Sequence, residues 1–266
     1  MFTPPTSDCE LNAVLHEFVT SIQAVLGENF IAAYLQGSFG VGDWDNDSDV
    51  DFLVAVEHAV ADADLPALQA LHSKIFNGPS AWATHLEGSY FPREVLKCDD
   101  PAKTKLLYLD NAHEQLEISD HDNSLVVRWV VREHGIPLAG PDAVTLIDPI
   151  PADALRGEVW QVMQEWASEI VSGQWKMSNR WAQPFAVLSY CRMLHTLERG
   201  RIHSKLAGAR WAENALDARW QDLIQCAWQA RPNPGLKVSQ AADAADIRDT
   251  LAFIAYALAL SRQQKY

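Results

Sequence analysis

Two kinds of hydrophobic pattern divide this chain. Near the start, apolar residues fall at Val14, Leu15, Phe18, Ile22 and Leu26, the spacing of one helix face, and Gly27 follows as a C-terminal stop. Two short runs rich in branched and aromatic residues, Phe30 to Leu35 and Val50 to Val56, predict strands, with a polar loop from Gly37 to Ser48 between them. Pro66 to Phe76 reads as a helix that takes its proline in the first turn. Ala81 to Phe91 has strand character interrupted by His85 and Glu87, which would put Glu87 on one face with His85 and Ala83. Asn123 to His134 is an amphipathic helix with Ser119 and Asp120 as capping candidates and Gly135 at its end. Capping accounts for Asp120; the alternative is that His121 or Asp122 reaches a functional site.

The pattern changes after a turn-rich stretch running from Gly140-Pro141 to Ile150-Pro151. Beyond it nearly everything has helical spacing. Leu155, Val159, Val162, Met163, Trp166 and Ile170 form one stripe, and Phe185 to Leu197 forms another, ending at Gly200. Ser204 to Leu216 and Trp220 to Ala230 predict two more helices, and Ile247, Leu251, Ile254 and Leu258 line the last. The expected class is α+β: an N-terminal domain over residues 1–145 with a mixed sheet and flanking helices, then an all-α bundle of about five helices over residues 146–266.

The chemistry is concentrated between the first two strands. Gly37-Ser38 directly follows a strand; glycine allows a tight turn and close backbone approach to a phosphate, and Ser38 adds a hydroxyl donor. Ser48-Asp49-Val50-Asp51 then enters the second strand. Period-two geometry puts Asp49 and Asp51 on one face, where they repel each other unless a cation lies between them. Mg²⁺ takes hard oxygen ligands and commonly uses one or two carboxylates with substrate phosphates. This order of turn, polar loop and Ser-Asp-x-Asp resembles the nucleotidyltransferases related to polymerase beta. That resemblance asks for a third carboxylate on a neighbouring strand, and Glu87 is the candidate, as general base and further metal ligand.

A closer resemblance covers roughly residues 30 to 230. Val131-Arg132-Glu133-His134-Gly135, Leu138 to Pro141, and Ile147 to Pro151 look like the domain junction of the aminoglycoside adenylyltransferases that act on streptomycin and spectinomycin. Arg192, Gly200 to Lys205, and Ala209 to Ala212 resemble the helical domain of that family. The resemblance implies a nucleotidyltransferase domain followed by a helical domain that closes the substrate cleft. It also implies ATP as co-substrate, one or two Mg²⁺ ions on Asp49, Asp51 and Glu87, and nucleotide contacts from Gly37, Ser38, Ser48, Arg192 and Lys205. The implied reaction is transfer of AMP to a hydroxyl of a small molecule such as spectinomycin. Streptomycin-modifying members carry acids in the stretch matching Ser178 to Ala182. Here that stretch is Ser-Asn-Arg-Trp-Ala with Lys176 nearby, a poor electrostatic match for a polycation. Ala112 stands where those members have tryptophan, Arg231 where an adenine-side tyrosine is expected, and Phe185 where a substrate-contacting histidine would be. The alternative reading is a regulatory or antitoxin-type nucleotidyltransferase acting on a partner protein.

Charge and cysteines narrow the rest. A net charge of -14 disfavours a nucleic-acid partner, since phosphate backbones would be repelled. Cys9, Cys98, Cys191 and Cys226 show no metal spacing; Cys191 and Cys226 lie among apolar residues and are expected to be buried. With no signal-like N-terminus and no apolar stretch long enough to span a bilayer, a cytoplasmic monomer without membrane contact is expected.

Overall fold

The structure, a computed structural model, describes residues 3–232 and 234–263. The chain divides into two compact units, Met1–Ile150 and Pro151–Tyr266.

The first unit is built on a six-stranded mixed sheet. Its strands are β1 (Phe30–Leu35), β2 (Val50–Val56), β3 (Leu86–Pro92), β4 (Leu106–Leu109), β5 (Leu116–Ser119) and β6 (Ile136–Ala139), in the order β5-β4-β3-β2-β1-β6. Only the β2–β3 pair is parallel; the other four pairs are antiparallel. The helices are α1 (Cys9–Leu26), α2 (Gly37–Val41), α3 (Leu65–Phe76), α4 (Arg93–Leu96) and α5 (Leu125–His134). α1 buries Leu11, Val14, Leu15, Phe18, Ile22 and Leu26 together with Phe52 and Val54 of β2. The opposite face of the sheet packs Tyr34, Leu53 and Ala55 against Val131 and Ile147. β2 is thus buried on both sides, as its unbroken apolar run requires.

Three expectations change here. Ala81–Thr84 is a 3-10 turn and β3 begins only at Leu86, so Glu87 does not share a strand face with His85 and Ala83. Ser80 caps that turn at Trp82 N, and Trp82 is held by its indole donating to Asp8 at 3.2 Å. α5 begins at Leu125 and is capped by Ser124, whose side chain accepts from Val127 N at 3.1 Å; Ser119 instead ends β5. Polar residues 120–123 lie before the cap because they form the β5–α5 turn, where Asp120 O accepts from Asn123 N at 3.0 Å. The strands β4, β5 and β6 are too short, at four residues each, to stand out as periodic runs.

The second unit contains α6 (Ala152–Ser172), α7 (Ala182–Arg199), α8 (Lys205–Ala215), α9 (Gln221–Ala230), α10 (Pro234–Val238) and α11 (Ala244–Gln263). α7 is its central helix, with Ala186, Val187, Tyr190, Cys191 and Leu194 at or near zero exposure. Leu155, Val159, Met163 and Ile170 of α6 are buried, whereas Val162 is 40% exposed. α11 buries Thr250, Phe253, Ile254, Ala257 and Ser261 and leaves Leu251 at the surface. The buried stripe Thr250, Phe253, Ile254, Ala257 and Ser261 is turned about the helix axis from the expected Ile247, Leu251, Ile254 and Leu258, so Leu251 falls at its edge. Cys191 is buried as expected, but Cys226 is exposed because it lies off the Ile224–Ala227 stripe that α9 turns inward. Among the described residues no helix is long and apolar enough to cross a membrane.

Candidate active site

The parallel pairing of β2 and β3 places Asp51 opposite Glu87 in register. Asp49 lies one residue ahead of β2, two before Asp51, so three acids gather at one end of two central strands. The chain turn after β1 meets them there. Gln36 N donates to Asp51 O at 2.8 Å, and Gly37, with φ +58°, passes flush against the Asp51 side chain. A Cβ placed on Gly37 would overlap that carboxylate, lying 2.6 Å from its Cγ. Gly37→Ala is therefore expected to displace Asp51 as well as strain the backbone. Its stability cost should be about 1–3 kcal/mol, with a larger proportional loss of nucleotide-dependent activity, read by denaturation and turnover side by side.

Next to Gly37, Ser38 Oγ is buried with no hydrogen-bond partner among the described residues. A buried hydroxyl of this kind is costly unless something binds it. Ser48 differs: its hydroxyl bonds to Asp45 Oδ1 at 3.2 Å and accepts from Asp45 N at 3.0 Å, bracing the loop that delivers Asp49.

The Glu87 carboxyl is strongly perturbed. Burial, followed by the charges of Asp51 and Asp49, pushes its carboxyl from 4.5 up to about 8. Opposing this, the Tyr108 hydroxyl donates to Glu87 Oε1 at 2.8 Å. Asn111 Nδ2 donates to Asp49 Oδ1. His121 Nε2 lies 3.8 Å from Glu87 Oε1, and Asp122 accepts from Ser89 Oγ of β3 at 2.8 Å. Burial raises the Asp122 carboxyl. The turn after β5 therefore does reach the acids, at His121 and Asp122. Tyr108 and Asn111 carry no sequence signal of their own: they end a short apolar run and begin a polar loop.

Among the described residues no three His, Cys, Asp or Glu side chains sit closely enough to hold a metal ion unaided. The donor set nevertheless suits Mg²⁺ presented by a phosphate chain. Its carboxylate oxygens are hard ligands, the acids repel one another in the absence of a cation, and the unpartnered Ser38 hydroxyl lies alongside.

Arg192 and Lys205 belong to the second unit, at the α7–α8 seam. Gly208 of α8 backs onto the Arg192 backbone, where a Cβ would lie 2.8 Å from Arg192 Cα. Lys205, in the first turn after the Ser204 cap, holds its ammonium 5.2 Å from the Phe185 ring centre. Phe185 stacks on Trp181 at 4.4 Å, and Asn179 caps the start of α7 by accepting from Ala182 N at 2.9 Å. Arg231 lies over Trp228 at 4.6 Å. His195 stacks on His203 at 4.1 Å and Trp211 at 5.0 Å, as a packed residue of α7.

The family model for the aminoglycoside adenylyltransferase C-terminal domain matches residues 145–256. An aminoglycoside (3'') (9) adenylyltransferase of Shigella flexneri is 27% identical over 230 residues, covering 83% of this chain and 85% of its own. Over this span the chain is similar to the aminoglycoside adenylyltransferases. A spectinomycin 9-adenylyltransferase of Staphylococcus aureus is 26% identical over 218 residues, covering 77% and 79% of the two chains. The crystal structure of a spectinomycin adenyltransferase from Enterococcus faecialis, solved with ATP and spectinomycin, aligns with a TM-score of 0.66 at 16% identity. It covers 94% of this chain and 98% of its own, so the chain shares its α+β fold over that span. These relatives are named adenylyltransferases, enzymes of the nucleotidyltransferase class.

Proposed function

We propose that this protein is an adenylyltransferase that transfers AMP from ATP to a hydroxyl of an aminocyclitol of the spectinomycin type. The observation that carries the reading is the in-register pairing of Asp51 with Glu87, with Asp49 and the Gly37-Ser38 turn at the same end of the sheet. The names of the relatives supply the acceptor class.

Asp49, Asp51 and Glu87 would hold Mg²⁺, which when bound supplies charge neutralisation to the attacking and leaving oxygens. The Ser38 hydroxyl donates to the triphosphate as it passes the Gly37 turn. Glu87 takes the proton of the acceptor hydroxyl, whose oxygen bonds to the α-phosphorus as the bond to pyrophosphate breaks. By resemblance to the helical domain of the adenylyltransferases, Arg192 and Lys205 are the candidate cations for the departing pyrophosphate. Ser48 serves by holding the Asp49 loop, since its hydroxyl is engaged with Asp45. The stretch from Lys176 to Arg180 brings cations where a polycationic drug would need acids, which favours spectinomycin over streptomycin.

The test is pyrophosphate release from Mg-ATP across a panel of acceptors. Release is expected with spectinomycin and not with streptomycin, and Asp49→Asn should reduce it by about a hundred-fold or more. Full turnover by Asp49→Asn would rule the scheme out.

A further inference from the structure

The geometry points to the end of β4, Tyr108 to Asn111, as a clamp of neutral donors that positions the catalytic carboxylates. The inference rests on the reading of Asp49, Asp51 and Glu87 as the reacting acids.

Three carboxylates cannot crowd at the end of two strands without a restoring force. Their mutual repulsion and desolvation favour rotamers that splay them into water. β4 supplies the opposing force from the other side of β3. It pairs antiparallel with β3, Gly88 against Leu109 and Ser89 against Tyr108, so the residues from Tyr108 onward run past the strand end that carries Glu87. Two of them reach across to different acids. Tyr108 donates to Glu87 Oε1 at 2.8 Å, and Asn111 donates to Asp49 Oδ1. Both donors are uncharged, so each fixes a carboxylate rotamer while leaving the site's negative charge intact for a cation.

The phenol and the loop are themselves held. Tyr108 is 3% exposed, and its hydroxyl also lies 3.1 Å from Asp110 Oδ1. A phenol has one proton to donate, so Asp110 and Glu87 are alternative acceptors for it. The contact to Glu87, at 2.8 Å, is the shorter of the two, and Asp110 Oδ2 is engaged separately by His113 Nδ1 at 2.9 Å. Ala112 adopts φ +59° and donates its N–H to Thr84 O at 3.0 Å, tying the loop to the residues just before β3. Tyr108 and Asn111 are positioning residues: they act through Glu87 and Asp49.

The test uses the full chain with Tyr108→Phe and Asn111→Leu, read in two ways. Mn²⁺ affinity in the presence of a non-hydrolysable ATP analogue, measured by titration calorimetry without acceptor, reports the carboxylate arrangement independently of turnover. Steady-state kinetics with spectinomycin report kcat and KM separately. Asn111→Leu is expected to weaken Mn²⁺ binding roughly ten- to hundred-fold, the usual scale for groups that orient ligands. Tyr108→Phe, which keeps the buried ring, is expected to lower kcat about ten-fold or more with KM for ATP little changed. Unchanged Mn²⁺ affinity in Asn111→Leu together with unchanged kcat in Tyr108→Phe would overturn the clamp. So would losses that merely track a fall in thermal midpoint. If the wild-type protein releases no pyrophosphate with spectinomycin while Asn111→Leu still weakens Mn²⁺ binding, the clamp stands and the acceptor assignment fails.

Discussion

Glu87→Gln is expected to abolish adenylyl transfer and, in the absence of divalent metal, to make the protein more stable. The two effects share one cause. Burial and the neighbouring charges of Asp51 and Asp49 raise the Glu87 carboxyl to about 8 against an ordinary 4.5. The folded state therefore holds this proton more tightly than the unfolded chain does. The associated stability is complete below about pH 4.5 and is lost as pH rises towards 8, where Glu87 ionises in place. The penalty above that pH is on the order of 4 kcal/mol before solvent screening. Glutamine keeps the shape and has no charge to desolvate. Melts in chelator should show the variant gaining on the wild type at about pH 9 and hardly at all at about pH 5. Turnover should fall by roughly 10²- to 10⁴-fold, the range for losing a general base. A variant that is inactive but gains no stability at high pH would mean the carboxyl is not crowded in the folded protein.

Gly88→Ala, one residue further along β3, is expected to give the largest loss of stability. Gly88 has φ +154°, and a Cβ there would overlap the Phe52 carbonyl oxygen and lie 2.8 Å from its carbon. The obstacle is backbone of the neighbouring strand, so relief means parting β2 from β3 at the pair adjacent to Asp51 and Glu87. Strain and overpacking together set a cost of about 3–5 kcal/mol, measurable by urea denaturation. Activity should fall even under conditions where the variant remains folded, because the spacing of the two acids is set by this pairing. A drop of less than about 1 kcal/mol would mean that the two strands can separate freely.

The candidate site residues were legible because each part obeys a local rule. Phe30–Leu35 and Val50–Val56 are runs of buried, branched and aromatic residues, and the structure has strands over those same positions. Gly37 has a positive φ and lies against Asp51, as a glycine at a tight turn beside a functional group would. The helices of the second unit follow from apolar periodicity, though not always with the expected residue inward: in α11 the small Ala257 and Ser261 face the core and Leu251 does not. Periodicity reports which residues are apolar, and the neighbouring helices decide which side of the helix turns inward.

By itself, then, the sequence determined the first two strands, the turn and acids between them, and the helical character of the second half. These depend on neighbours within a few positions, where backbone geometry and side-chain spacing are enough. Only the tertiary structure decided that β2 and β3 run parallel with Asp51 opposite Glu87, that a 3-10 turn replaces the start of the expected third strand, and that Tyr108, Asn111 and His121 come up to the acids. The pairing and the contacts join residues 21 to 62 positions apart through strand pairing and loop closure, and no local pattern encodes which of several short strands will lie beside another.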